Sequence, residues 1–255
     1  TAEHHLSQRF VGTPKTVDND LVPVDHCPGF PSAAKIATQI THATYLDYAG
    51  YTRPEVFVLE TMGRDAGWLA ASCCVSGDVD LLVLPEVDFD KEAFLAEVQK
   101  KFDEKGECYI VVSEGAHYAD GTYVSAGATA HDGFAHAVLG GAGAVIKQMI
   151  IDAGIVPRGI VQDLSRAARS SNFAQSLVDV TEAYELGMSA HMRSANPEFT
   201  AQVVGVKREY DEQGSYNAQY FAGPASEFAN AVKRFPKEWI LPNYQGVTEE
   251  ALEYF

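Results

Sequence analysis

Two short apolar runs, Leu81–Leu84 and Tyr109–Ser113, enclose a segment of helical periodicity, and this alternation limits what the chain can fold into more than any other feature. Between the runs, Phe94, Leu95, Val98 and Phe102 recur at helical spacing. Asp90 stands where an N-cap accepts backbone hydrogen bonds, and Gly106 where a helix turns left-handed to stop. The pattern predicts a helix over Lys91–Lys105. Short apolar strands joined through a helix run parallel and are covered by helices, so the fold class is α/β. Val56–Leu59 reads as another such strand. Ser32–Tyr48, with Ala33, Ile36, Ala37 and Ile40 on one face and Gly50 just past its end, reads as another helix. Helices are also expected over Thr129–Asp152, interrupted by Gly140, Gly141 and Gly143, and over Leu177–Met192. Val203–Tyr210 and Ser215–Tyr220 read as a strand pair turning at Gly214. Residues 1–10 read as a helix already under way, leading into a strand end at Val11 and Gly12.

Charge removes several classes of function. Lys and Arg number 19 against 35 Asp and Glu, giving 19 − 35 = −16, and no basic run offsets this excess. Neither nucleic acid nor an anionic membrane surface is an expected partner. No apolar run is long enough to span a bilayer, and a cytoplasmic location is the expectation. Cys27, Cys73, Cys74 and Cys108 lack CxxC spacing and read as thiols in a reducing compartment. His4 with His5, and His131 with His136, match no common zinc pattern. There is no GxxxxGK[ST] loop, and Ser113 is not in a GxSxG elbow. The GGAGAV run at 140–145 lacks dinucleotide spacing and reads as close packing. An anionic substrate must therefore be held by a few local cations, with Lys15, Arg64, Arg158, Arg166 and Arg169 as candidates.

Three strand ends carry residues suited to chemistry. Pro-Lys-Thr-Val-Asp-Asn-Asp at 14–20 follows the Val11–Gly12 strand end, so Lys15, Thr16, Asp18 and Asp20 fall at the carboxyl edge where ligands collect in open α/β sheets. In an extended segment the two carboxylates would share one side, one accepting a proton and the other orienting a cation through water. The same residues equally suit an Asx-rich turn. Met-Gly-Arg-Asp-Ala-Gly-Trp at 62–68 follows Val56–Leu59. Gly63 there permits close backbone approach, and Arg64 offers a fork of donors to phosphoryl oxygens. The alternative is a Gly-rich turn with Trp68 in the core. Glu114, in Val-Val-Ser-Glu-Gly at 111–115, could accept hydrogen bonds from sugar hydroxyls, although strand-end glutamates usually have no such role.

Taken together, PKTVDND, GFPSA at 29–33, ETMGRDAGW at 60–68, Pro85-Glu86, VSEG and RGIVQDLSRAAR at 158–169 resemble, in the same order, the 6-phosphofructokinase family. The resemblance extends to about Arg208. It implies two Rossmann-like three-layer domains, the first incomplete here: residues 1–30 and 163–230 on the phosphoryl-donor side, 31–162 and 231–255 on the fructose 6-phosphate side. It implies that Asp18 is the base at the C1 hydroxyl of fructose 6-phosphate and that Thr16 and Val17 line the substrate. Met62, Gly63 and Arg64 would line the sugar site, Arg64 stabilising developing charge. Glu114 would bind sugar hydroxyls, Arg158 and Arg166 would grip the 6-phosphate, partly across a subunit boundary, and Asp20 would act near Mg2+ through water. Lys15 stands where ATP-using members carry glycine and pyrophosphate-using members lysine, so pyrophosphate is the expected donor. An ATP-dependent enzyme and a non-catalytic sugar-phosphate-binding paralogue are the alternatives. A homodimer or homotetramer is implied.

Three departures accompany the resemblance. The family's Gly-rich start and its GGD motif have no counterpart after Thr1, so the chain reads as a C-terminal piece with little or no phosphotransfer activity alone. The 158–169 segment is one residue short of the usual pattern, leaving Arg166 and Arg169 in competition for one phosphate. Glu55 occupies the place of an arginine that the family lends to a neighbouring subunit, with Arg53 a displaced candidate.

Overall fold

The computed structural model describes residues 8–125, 141–229 and 231–255. His4, His5, His131, His136, Gly140 and most of the expected helical turn before residue 10 lie outside them, as does the 129–140 part of the expected Thr129–Asp152 helix.

In chain order the elements are β1 (Val11–Gly12), α1 (Phe30–Ala49), β2 (Val56–Thr61), α2 (Trp68–Ser72), β3 (Leu81–Val83), α3 (Lys91–Lys105), β4 (Cys108–Ser113), α4 (Ala142–Asp152), β5 (Gly159–Asp163), α5 (Ser165–Ser170), α6 (Leu177–Arg193), β6 (Gln202–Tyr210), β7 (Tyr216–Pro224), α7 (Ala225–Phe228) and α8 (Glu249–Tyr254). Strands β3, β4, β2 and β5 form, in that order, a parallel four-stranded sheet. The pleat assigns its faces. Phe57, Leu59, Leu82, Tyr109 and Val111 pack with α1 and α2, whereas Val56, Val58, Leu81, Val83, Ile110 and Val112 pack with α3 and α4. Every residue of β2, β3 and β4 is buried, the pattern expected of parallel strands covered on both faces. Helix α3 has the expected limits, with the Asp90 carboxylate accepting from the Glu92 and Ala93 amides and Gly106 left-handed at its end.

A second, three-stranded sheet has the order β1-β6-β7, with β1 parallel to β6 and β6 antiparallel to β7. The hairpin turns at Gly214 as expected, and Asp211 accepts from the Gln213 and Ser215 amides across the turn. Its second strand runs on to Pro224, beyond the expected Tyr220. Leu186 and Ala190 of α6 pack on Val204 and Val206. The two sheets are joined through α1 and α6: the Asp179 carboxylate accepts from the Gly29 amide at 2.8 Å and the Ser32 amide at 3.3 Å, capping α1 from a helix distant in sequence.

Strand β5 was not apparent in the sequence, because four of its residues are only partly buried, Asp163 is exposed, and it lies at the sheet edge. Of the glycines expected to serve close packing, Gly143 does so, since a Cβ there would lie 3.1 Å from Val161 and 3.3 Å from Val58, and the start of α4 has a further use. The amides of Gly141 and Gly143 donate to the two carboxylate oxygens of Glu60, at 2.8 and 3.0 Å, so a buried strand residue caps the helix. The four cysteines are free thiols, and Cys27, Cys73 and Cys108 are buried. Among the described residues no helix is long and apolar enough to cross a membrane.

Candidate active site

Loops leaving the carboxyl ends of β1, β2, β4 and β5 bring one group of charges together. The first loop is fixed at its buried centre by Asn19, which is left-handed at φ 56°. Its side-chain carbonyl accepts from the Cys27 amide at 3.1 Å, and its amide donates to the Tyr254 hydroxyl at 3.4 Å. The segment is therefore a turn rather than an extended strand. Asp18 and Asp20 still act on each other, because the like charge of Asp20 helps raise Asp18. Thr16 orients the loop by accepting the Asp18 amide on its hydroxyl at 3.1 Å, and its backbone bridges Gly29. Val17 points into the core, so any contact it makes with a ligand is through its backbone. Lys15 is exposed.

The second loop explains its own glycines. Gly63 has φ +131°, and a Cβ there would lie 2.6 Å from the Ala66 carbonyl and 2.8 Å from the Ser113 hydroxyl. Gly63 thus permits close approach of the protein to itself at Ala66 and Ser113. The Ser113 hydroxyl donates to the Gly63 carbonyl, and the Gly115 amide donates to the same carbonyl at 3.2 Å. These bonds lock the loops after β2 and β4 together, placing Met62 and Arg64 beside Glu114.

Electrostatics single out two carboxyls in this group. Burial pushes the Asp18 carboxyl up to about 6, helped by Asp20 and Asp65 and opposed by Arg64 and Arg169. Burial likewise pushes Glu114 up to about 7, helped by Asp18 and Glu60 and opposed by the Gly63 amide and Arg64. Burial also raises Asp20. Among the described residues, one carboxylate oxygen of Asp18 and the Nε of Arg64 are buried without a hydrogen-bond partner. Unpaired buried polar groups are costly, and here an acceptor and a donor in one cluster both lack partners. Carboxyls poised near neutrality beside a cation are suited to proton transfer coupled to handling an anion.

The structure brings Lys15, Thr16, Asp18, Asp20, Met62, Gly63, Arg64 and Glu114 to one edge. Arg169, one of the two arginines expected to compete for a phosphate, joins them, as does Asp65, which the sequence did not mark. Arg169 stood out by its place in an Arg-rich run, whereas Asp65 had only its adjacency to Arg64. Arg166 lies exposed on the same short helix α5. Arg158, expected at the sugar phosphate, is not with them. It precedes β5, at the opposite edge of the sheet, and pairs with Glu55 in front of β2 at 3.0 and 3.2 Å. Glu55 is 5% exposed and Arg158 47%, so the fork of the arginine covers a buried carboxylate. Arg158→Ala should lower stability by about 1–3 kcal/mol, less than a fully buried pair because the arginine is half exposed. Thermal denaturation checks this, with Glu55→Gln/Arg158→Ala expected to recover most of the loss.

Comparison with known proteins adds an independent line. A family model described as "Phosphofructokinase" matches residues 1–191. The pyrophosphate–fructose 6-phosphate 1-phosphotransferase of Halomonas elongata is 38% identical over 253 residues, covering 96% of this chain and 59% of that protein. The sulfofructose kinase of Alkalicoccus urumqiensis is 34% identical over 260 residues, covering 97% of this chain and 66% of that protein. The crystal structure of a pyrophosphate-dependent phosphofructokinase from Nitrosospira multiformis superposes with a TM-score of 0.84 at 28% identity, covering 99% of this chain and 60% of that one. The chain thus spans about three-fifths of the length of such relatives.

Proposed function

Because the chain belongs to the phosphofructokinase family, we propose that it carries the catalytic base and the sugar-phosphate side of an enzyme transferring a phosphoryl group from pyrophosphate to the C1 hydroxyl of fructose 6-phosphate. The observation that carries this reading is the juxtaposition of Asp18 and Arg64, close enough for the arginine's charge to act on the carboxyl, each with a buried polar atom lacking a partner among the described residues. Asp18 takes the proton of the attacking hydroxyl. Arg64 faces charge that develops on the transferred group, and Thr16 and Glu114 orient the sugar. Phosphoryl transfer needs little else from a protein beyond alignment and charge stabilisation.

The sheet formed by β1, β6 and β7 supports assigning residues 1–30 and 163–230 to the donor side. The β2–β5 sheet likewise supports residues 31–162 and 231–255 as the sugar-phosphate side. Arg166 and Arg169, at the carboxyl end of β5, serve the 6-phosphate in this reading, and Arg158 serves it only if lent to another subunit. A stripe of exposed apolar residues on α6, Leu177, Val180, Tyr184, Met188 and Met192, supports assembly as a homodimer or homotetramer.

The residues present suit a divalent cation of the kind that keeps most of its water. Asp20 is a half-buried carboxylate beside Asp18's unpartnered oxygen, and among the described residues no cluster of three or more ligands builds a full cage. Asp20 would hold Mg2+ through water, and the ion would neutralise charge on donor oxygens.

A second reading is favoured by the Glu55–Arg158 pair. It withholds one cation from an anion at C6, which suits a singly charged sulfonate better than a phosphate; sulfofructose is therefore the second acceptor to test. Coupled assays of the purified full-length protein, with fructose 6-phosphate or sulfofructose as acceptor and pyrophosphate or ATP as donor, decide among these readings. Turnover of fructose 6-phosphate with pyrophosphate is expected. Turnover with ATP alone would reject the role of Lys15, and no transfer with any pair would leave a binding paralogue. Lys15→Gly should lower kcat/KM for pyrophosphate roughly 10–100-fold, the loss of one charge-assisted contact. Steady-state kinetics at saturating sugar checks this.

A further inference from the structure

Residues 232–235 make a short extended strap that touches both motif loops, although nothing in their sequence marks them. Val232 bridges Leu21, and the Lys233 amide donates to the Asp20 carbonyl at 2.7 Å. The Lys233 carbonyl accepts from the Trp68 indole at 2.9 Å. One residue thus bonds the end of the 14–20 loop through its amide and the end of the 62–68 loop through its carbonyl. Its side chain adds a third attachment: the ammonium donates to the Val24 carbonyl at 3.2 Å and to the Asp25 carbonyl, and sits 4.5 Å over the Trp68 ring.

The neighbours continue the pattern. Arg234 donates to the Asp65 carbonyl at 3.3 Å. The buried Glu86 carboxylate accepts from both the Phe235 amide at 2.8 Å and the Gly67 amide at 2.9 Å. The strap is therefore fastened on one side to Asp20, Leu21, Val24 and Asp25, and on the other to Asp65, Gly67 and Trp68. Asp18 and Arg64 lie just upstream of these two sets of anchors.

We propose that Lys233 is a positioning residue, which sets the placement of Asp18 relative to Arg64 by tying the two motif loops to one strap. This rests on the phosphotransfer reading of the site for its kinetic consequence but not for its structural one. The chemistry of the residue supports the assignment. A lysine confined in this way loses side-chain entropy, and burial drives its ammonium down to about 8, against the pull of Asp25. An apolar side chain of similar length would fill the same space without that cost, but could not cap the Val24 and Asp25 carbonyls.

The test compares Lys233→Met and Lys233→Arg in the full-length protein by hydrogen exchange and steady-state kinetics. In Lys233→Met, amides in 14–20 and in 62–68 are expected to exchange faster together, roughly tenfold or more. The kcat is expected to fall about 10–100-fold, the penalty of a displacement near 1 Å, with KM for the sugar phosphate nearly unchanged. Lys233→Arg, which keeps a cation over Trp68, recovers most of both. Faster exchange confined to 231–236, or a lowered Tm with unchanged kcat, overturns the proposal. If the parent protein transfers no phosphoryl group, the functional reading fails while the exchange measurement still decides the strap. Should Lys233→Met not fold, Glu86→Gln reads the same coupling from the Phe235 end, with the same two loops expected to respond.

Discussion

Asp18→Asn should lower kcat by roughly 10²–10⁴-fold while making the folded protein more stable above pH 7. The kinetic loss follows from removing the proposed base. The gain in stability follows from the sign of its shift. Burial pushes the carboxyl up to about 6 in the fold, above the ordinary aspartate value of about 4, so the folded state binds the proton more tightly than the unfolded state does. Its contribution to stability is present below about pH 4, is lost as pH rises to about 6, and is absent above. Asparagine removes the buried charge, and a gain of about 1–2 kcal/mol at pH 8 is expected, about 2–8 °C in Tm. Glu114 should also titrate lower in the variant, because Asp18 is the largest neighbouring charge raising it. In the parent enzyme, forward kcat/KM should fall about tenfold per pH unit below an acid limb between about 6 and 7, where Asp18 and Glu114 titrate as a pair. That limb should vanish in Asp18→Asn. Differential scanning calorimetry across pH, with kinetics on the same samples, separates the two effects, and destabilisation at pH 8 would contradict the assignment of Asp18 as a costly buried charge.

Gly115→Ala is the second substitution with a large expected effect, and its cause is space rather than backbone angle. A Cβ at Gly115 would lie 1.8 Å from the Arg64 carbonyl and 2.7 Å from that of Gly63. Both obstacles are backbone, so no rotamer change relieves them. Separating the loops would break the amide bond from Gly115 to Gly63 and move Arg64 with it. A cost of about 3 kcal/mol or more is expected, with kcat lowered about 10²-fold or more in whatever fraction folds. Urea denaturation and kinetics corrected for folded enzyme check this. A variant with parental stability and kcat would show that the two loops move apart freely.

Local patterns made much of this architecture legible. Helix α3 followed from Asp90, four apolar positions and Gly106, all within reach of one another along the chain. The site loops followed from glycines and charges directly after apolar runs, since strand ends in a parallel sheet collect at one edge. What escaped the sequence reading depends on partners distant along the chain. Glu55 and Arg158 have unremarkable neighbours, and only the β2–β5 register makes them a pair. Asp179 looks like any helical carboxylate until Gly29 and Ser32 are found at its oxygens. Asn19 read only as part of an Asx-rich turn, yet it is the buried anchor between Asp18 and Asp20. Strand β5 was hidden because an edge strand needs few apolar residues, and the segment 232–235 because backbone hydrogen bonds leave no mark on side-chain composition.

That strap has a consequence for the order of synthesis. Lys233 reaches Val24 across 209 positions, which a ribosome covers in on the order of 10–40 s at roughly 5–20 residues per second. For most of that interval, from the synthesis of Trp68 onward, both motif loops can be present on the nascent chain without the segment that joins them. If Lys233 positions the loops as proposed, alignment is acquired late in translation, and premature termination before Val232 would yield a chain that bears the charged groups of both motifs and lacks the segment that ties them.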